Sequence, residues 1–174
     1  MDALFGDADF ETSKEATALI GKIIAAHNLQ NSLLYDLGSC WGGFVFGIQT
    51  ACPGLQIVGV DKSRIKTWLA RLRSLYHRNQ NFPRFLKADI FDVDVSKIDL
   101  AFVYLPRPLL PALEAKLQKD LKPGSLAITY RVNFPTWRPT QIFVTDLKRR
   151  ERNNIFIYKK INKILTFDKL EFRK

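Results

Sequence analysis

Apolar residues occur along this chain at two different spacings, and their alternation predicts strands and helices in turn. Short, nearly continuous apolar runs cover residues 33–37, 55–61, 85–89, 100–104 and 125–130. Such runs are typical of parallel strands buried on both faces. Between them, apolar residues recur at the three- and four-residue spacing of helices that cover a sheet. The pattern therefore predicts an α/β fold.

The helices have recognisable start and stop signals. The first follows the Thr-x-x-Glu capping box at residues 12–15, and the fourth opens with prolines that the first helical turn tolerates. The predicted spans are about 13–27, 44–52, 63–76 and 106–121. In the third helix, apolar residues are expected to form the buried face and cations the exposed one. The residues predicted to be buried are Ile65, Trp68, Leu69, Leu72, Leu75 and Tyr76.

After residue 130 strand follows strand. Residues 141–147 and 155–159 are apolar and flank the charged turn 148–154, which predicts an antiparallel hairpin. Residues 1–11 are expected to be a mobile lead-in, and residues 161–174 a basic C-terminal extension. With 174 residues and no linker-like segment, the chain is predicted to form one domain over residues 1–174.

Several protein classes are disfavoured by composition. No apolar run approaches the ~20 residues that cross a bilayer, and the acidic N-terminus is unlike a signal peptide, so a cytoplasmic location is expected. The two cysteines and two histidines lack the spacing of metal ligands. Neither a disulfide nor a metal site is predicted.

The net charge of +10 is unevenly distributed. Residues 62–78 hold six cations and no acid, and residues 148–174 hold ten cations and three acids. Such clusters indicate an acidic partner, either nucleic acid or an acidic protein surface, although solvated faces that serve only solubility are the alternative. A membrane surface is not expected as a partner, even though the tail mixes Lys with Ile, Leu and Phe.

Polar residues end several of the predicted strands, at positions Asp36, Asp61, Asp89 and Tyr104. In an open α/β sheet these ends face one crevice. Clustered acids are costly unless a ligand supplies positive charge or donors. Cys40 stands where a dinucleotide motif requires glycine, and a nucleoside triphosphate motif is absent from the sequence. A cationic, phosphate-free ligand such as S-adenosylmethionine fits better.

The motif Asp36-x-Gly38-x-Cys40-x-Gly42, with Asp61, Asp89 and the closing hairpin, resembles the class I S-adenosylmethionine-dependent methyltransferases over about residues 12–160. The resemblance implies a three-layer α/β sandwich. Its sheet would be seven-stranded, Rossmann-like and mostly parallel, with a C-terminal antiparallel hairpin.

A narrower resemblance is to the small single-domain protein-lysine methyltransferases of archaea and mitochondria. It rests on residues 10–13, 35–39, 102–106, 117–124 and 134–139. It implies methyl transfer to a protein lysine. The chain differs from these enzymes in having Cys-Trp-Gly-Gly where they usually have Gly-Asp-Gly-Arg, and in having Asp61 in place of a common Glu. A nucleic-acid methyltransferase and a cofactor-binding protein without turnover are the alternatives.

Site residues follow from the resemblance. Asp36 and Gly38 are expected to hold the methionine end of the cofactor, Asp61 the ribose hydroxyls and Asp89 the adenine amine. The other expected cofactor contacts are Ser39, Cys40, Gly42, Lys62, Ile90 and Tyr104. As catalytic residues we expect Tyr104 and Trp137, lining a pocket whose low polarity favours a neutral lysine amine. No residue is required as a general base.

Overall fold

The computed structural model describes residues 12–76, 82–145 and 154–161. Within these ranges the chain forms seven strands and four helices. The strands are β1 (Leu33–Leu37), β2 (Gln56–Asp61), β3 (Arg84–Lys87), β4 (Leu100–Val103), β5 (Leu126–Tyr130), β6 (Gln141–Val144) and β7 (Asn154–Lys159). The helices are α1 (Lys14–Ala26), α2 (Gly43–Ala51), α3 (Arg64–Ser74) and α4 (Leu110–Asp120), the last preceded by a 3₁₀ turn, Arg107–Leu109.

All seven strands form one sheet in the order β3-β2-β1-β4-β5-β7-β6. Strands β1 to β5 are parallel, while β7 runs antiparallel to both β5 and β6. The predicted α/β fold with a closing hairpin is confirmed. The strand order reverses between β1 and β4, which places the crevice of the sheet beside the end of β1.

Helices cover both faces of the sheet, as the three-layer prediction requires. One core contains the apolar faces of α1 and α2, including Ile20, Ile24 and Ile48. The opposite core contains α4, with Leu113 and Leu117 fully buried. On this second face the connection from β3 to β4 is irregular, and it fills the layer with Ile90, Val93, Val95 and Ile98. Among the described residues, none of the helices has the length and apolarity needed to cross a membrane.

The predicted buried stripe of α3 is wrong. Thr67 and Ala70 are the buried residues of this helix, while Ile65, Trp68 and Leu72 are exposed. Helix α3 packs beside β2 and the edge strand β3, and small side chains there let its backbone approach the sheet closely. The large apolar side chains consequently lie on the side of the helix that faces away from the protein.

The predicted helix starts need one correction. The N-cap of α1 is Ser13, whose hydroxyl accepts a hydrogen bond from the Ala16 N–H at 3.1 Å, so the capping box does not start at Thr12. Ser63 caps α3 as predicted. The lead-in 1–11, most of the hairpin turn and nearly all of the extension 161–174 lie outside the described residues.

Two glycines shape the loop between β1 and α2 because their backbones are left-handed. Gly38 has φ +94°, and a Cβ built there would lie 2.5 Å from Leu105. Gly42 has φ +80°, and its Cβ would lie 2.8 Å from Phe85 and 2.9 Å from Phe46. Glycine is therefore required at both positions by conformation and by space.

We expect Gly42→Ala to destabilise the fold more than Gly124→Ala, a matched control. Gly124 has a similar φ of +89°, but nothing lies within 4 Å of its added Cβ. Both variants carry the left-handed strain of about 1–2 kcal/mol. The Gly42 variant also pushes Phe85 and Phe46 apart, which adds about 1–3 kcal/mol. Urea denaturation measures the difference, and equal losses would contradict the packing argument.

Candidate cofactor site

The carboxylate of Asp61, at the end of β2, holds two loops together. It accepts hydrogen bonds from the Cys40 N–H at 3.0 Å and from the Ser63 N–H at 2.7 Å. The N–H groups of Gly38 and Ser39 donate to the Val60 carbonyl at 2.8 and 2.9 Å. The turn after β1 is thus fixed to the end of β2.

Cys40 occupies a strained backbone position in this turn. Its φ of +49° is left-handed, which costs a non-glycine residue about 1–2 kcal/mol. The following residue is held by α3: Arg73 donates to the Trp41 carbonyl at 2.9 Å, and the Lys66 ammonium lies 5.7 Å from the centre of the Trp41 ring. The Cys-Trp departure from the usual motif is therefore accommodated with contacts of its own.

A cavity of about 330 Å³ opens at the carboxyl ends of β1, β2 and β4 and beside the end of β3. This volume lies at the lower end of the range of small-molecule sites. Asp61 and Asp89 supply carboxylates, and Ile90, Phe91 and Leu109 supply apolar surface. The remaining lining residues are Gly38, Cys40, Lys62, Ser63, Lys66, Tyr104, Leu105 and Pro106.

A smaller cavity of about 30 Å³ adjoins the same loop. The two cavities share three lining residues, Gly38, Cys40 and Tyr104. Asp36 and Ser39 lie in the smaller one, and the Ser39 Oγ is buried there with no hydrogen-bond partner among the described residues. The other lining residues are Thr12, Trp41, Gly43, Phe44 and Phe102.

Asp36 is a buried acid in the smaller cavity. Its side chain is 3% exposed. Burial, and next the negative charge of Asp61, raise the pKa of Asp36 from 3.8 to about 8. The ligand-free protein therefore holds this carboxyl mostly protonated at neutral pH. A cationic ligand beside it would favour the ionised form.

Tyr104 is oriented by the residues that follow β5. The Arg131 Nη1 donates to the Tyr104 hydroxyl oxygen at 3.0 Å, and this hydrogen bond is the main cause of the raised pKa of Arg131. Tyr130 packs edge-on against Tyr104 with ring centres 5.1 Å apart. Arg131 itself adopts a left-handed φ of +62°. The phenol at the junction of the two cavities is thus held on two sides.

Trp137 lies outside both cavities. Its ring stacks on Phe134 at 5.8 Å and packs against Tyr158 at 5.3 Å. The segment is held to α4 by Glu114, a buried acid that accepts from the Thr136 N–H at 3.2 Å. The structure does not bring Trp137 to the predicted lysine pocket.

Nine of the ten predicted cofactor contacts line one cavity or the other. The exception is Gly42, which caps the start of α2 and shapes the loop from behind. Sequence reasoning missed Arg131, because a residue beyond a strand end gives no signal of the tyrosine that it contacts. It also missed the apolar wall formed by Phe91, Leu105 and Leu109.

The arrangement fits S-adenosylmethionine. The acids provide acceptors for a ribose diol and for amino groups, and the orphaned Ser39 hydroxyl offers a polar contact in the smaller cavity. The larger cavity has apolar surface on which a purine can pack. Both cavities lack the run of glycine N–H groups that a pyrophosphate needs.

Comparison with curated proteins identifies relatives of low identity. The chain is 28% identical over 127 residues to an ATP synthase lysine N-methyltransferase of Xenopus laevis, covering 73% of this chain and 55% of that protein. It is 26% identical to a protein-lysine N-methyltransferase of Saccharolobus islandicus, covering 67% of this chain and 73% of the relative. The chain thus spans only about half of the Xenopus relative.

Solved structures share the fold. An RNA methyltransferase from Salinibacter ruber in complex with S-adenosyl-L-homocysteine superposes with a TM-score of 0.72 at 20% identity, covering 87% of this chain and 96% of the other. The model of the ANTKMT methyltransferase domain matches residues 36–141, which run from the first site acid to the start of β6. The chain belongs to the ANTKMT methyltransferase domain family, with the Rossmann-like fold and the S-adenosylmethionine cofactor of class I methyltransferases.

Proposed function

We propose that this protein transfers a methyl group from S-adenosylmethionine to the side-chain amine of a protein lysine. The observation that carries the proposal is the pair of cavities that share Gly38, Cys40 and Tyr104. Asp36 and Ser39 would hold the methionine end, while Asp61 and Asp89 would hold the adenosine end. The reacting centre would then lie between them, beside the Tyr104 phenol.

S-adenosylmethionine supplies an electrophilic methyl group on a positively charged sulfur. The protein mainly has to align a neutral amine with that methyl and exclude water. Phe102 and Tyr104 provide aromatic surface at the junction, and low polarity disfavours the ammonium form of lysine. Arg131 fixes the Tyr104 oxygen, which can accept a hydrogen bond from the incoming amine.

A protein acceptor is supported by the relatives, which are named lysine N-methyltransferases. The basic stretch 62–78 gives weaker support to a nucleic acid, since three of its cations make contacts inside the protein. Arg71 donates to the Phe85 carbonyl at 2.8 Å, and Arg73 and Lys66 contact Trp41. A cytoplasmic location stays a prediction from the sequence.

Replacing Asp61 by Ala should weaken S-adenosylmethionine binding by about tenfold or more, because a charged acceptor is lost from the larger cavity. Isothermal titration calorimetry measures the affinity. Asp94→Ala is the matched control, since Asp94 also accepts the N–H of the residue two positions on but lies outside both cavities. Equal affinities of the two variants would contradict the ribose assignment.

Cofactor affinity should rise with pH up to about 8 and then level off. Asp36 has a pKa of about 8 in the ligand-free protein, so below this pH a bound cation must displace its proton. The affinity then falls by up to about tenfold for each pH unit below 8. Asp36→Asn should bind more weakly above pH 8 and lose this part of the pH dependence. Calorimetry of both proteins across the range tests it, and parallel profiles would contradict the assignment.

The ligand-free protein provides an independent check on Asp36. Its folded-state pKa lies above the ordinary value of 3.8, so between these pH values the folded state keeps a proton that the unfolded chain has lost. Wild-type stability therefore falls as the pH rises through this window. Asp36→Asn avoids the loss, and its gain in melting temperature should be larger at about pH 8.5 than at about pH 4.5.

The acceptor can be identified by incubating the protein with methyl-labelled cofactor and a cell extract. We expect the label in protein, resistant to ribonuclease and recovered as methyl-lysine after hydrolysis. Label lost on ribonuclease treatment would contradict the proposal and favour a nucleic-acid methyltransferase. Cys40→Gly is the companion variant, since activity that appears only in this variant would mean that the natural protein binds the cofactor without turnover.

A further inference from the structure

Helix α3 presents an apolar row to solvent. Half of the large apolar side chains exposed in the described residues lie on this helix or directly after it. Trp68 is 58% exposed, Leu75 60% and Tyr76 89%. We call this set the α3 stripe; its members are Ile65, Trp68, Leu72, Leu75 and Tyr76. Their three- and four-residue spacing puts them on one side of the helix, opposite the buried Thr67 and Ala70.

Cations flank the α3 stripe on both sides. With about 100° of rotation per residue, Arg64 and Arg71 lie along one border, and Lys66 and Arg73 along the other. Acids are absent from residues 62–76. An apolar centre with basic borders distinguishes this surface from an ordinary solvated helix face.

The layout favours some occupants over others. A second copy of the chain would bring two basic borders together, which like-charge repulsion opposes. A nucleic acid would place its phosphates on cations, but the centre of the surface offers aliphatic Ile65, Leu72 and Leu75, which have no partner on a phosphate backbone. An anionic bilayer surface meets both features, because apolar side chains enter the acyl boundary and cations contact the headgroups.

We propose that the α3 stripe is a docking surface for an anionic membrane. Trp68 and Tyr76 are suited to this position, since amphipathic rings concentrate at the membrane–water interface. The sequence argues against a membrane partner, but it also assigns these side chains to the core. Their exposure removes that objection.

The position of α3 links this surface to the cofactor site. Lys62, Ser63 and Lys66, at the start of the helix, line the larger cavity. A protein docked through α3 would therefore hold this cavity close to the bilayer surface. The docking itself needs neither cofactor nor methyl acceptor, so its test does not depend on the proposed activity.

Sedimentation with lipid vesicles tests the proposal. The full-length protein should bind phosphatidylcholine vesicles that contain about one third phosphatidylserine, and bind pure phosphatidylcholine at least about tenfold more weakly. Raising the salt to about 1 M should weaken binding, because the Debye length shrinks to about 3 Å. The triple variant Ile65→Gln, Trp68→Gln, Leu72→Gln should lose at least about tenfold in affinity, since its apolar contact is removed.

Ile142→Gln is the matched control, because Ile142 is 55% exposed on β6, at the opposite edge of the sheet, and this variant should bind vesicles as wild type does. Unchanged melting temperature and cofactor affinity of the triple variant exclude misfolding. Absence of vesicle binding, or equal binding by the triple variant, would overturn the proposal. So would self-association, or binding of RNA or of an acidic protein, that the triple variant abolishes while vesicle binding persists.

Discussion

The carboxylate of Asp61 is the contact on which the rest of the site depends. One oxygen accepts from the loop after β1 and the other from the residue that caps α3. A hydrogen bond to a charged acceptor is stronger than one between neutral groups, and this acid makes two of them. The same side chain lines the larger cavity, so the group that closes the fold at this point is also exposed to the ligand.

The fold was largely predictable because its signals are local. Parallel strands buried on both faces, such as β1 and β4, give continuous apolar runs, and the proline and glycine residues around α4 mark its ends. Asp36, Asp61 and Asp89 could be placed in the crevice because strand ends converge in this topology. Their convergence requires no knowledge of side-chain packing.

The failures of prediction have one physical cause: they concern contacts between residues far apart in sequence. The α3 stripe has the spacing of a buried face, and only the position of α3 beside an edge strand shows that Thr67 and Ala70 are buried instead. The family resemblance places Trp137 at the pocket, but Phe134 and Tyr158 enclose it elsewhere. Likewise, the contact between Arg131 and Tyr104 spans 27 positions.

Helix α3 has two faces with separate tasks, and this has a thermodynamic consequence. Its inward cations hold the cofactor loop through Arg73 and Trp41, while its outward side chains form the proposed docking surface. An element shared in this way makes the two equilibria interdependent. If docking shifts the Arg73–Trp41 contact and so changes cofactor affinity by some factor, the cofactor must change membrane affinity by the same factor. The helix would then act as a reciprocal coupler between surface attachment and cofactor loading.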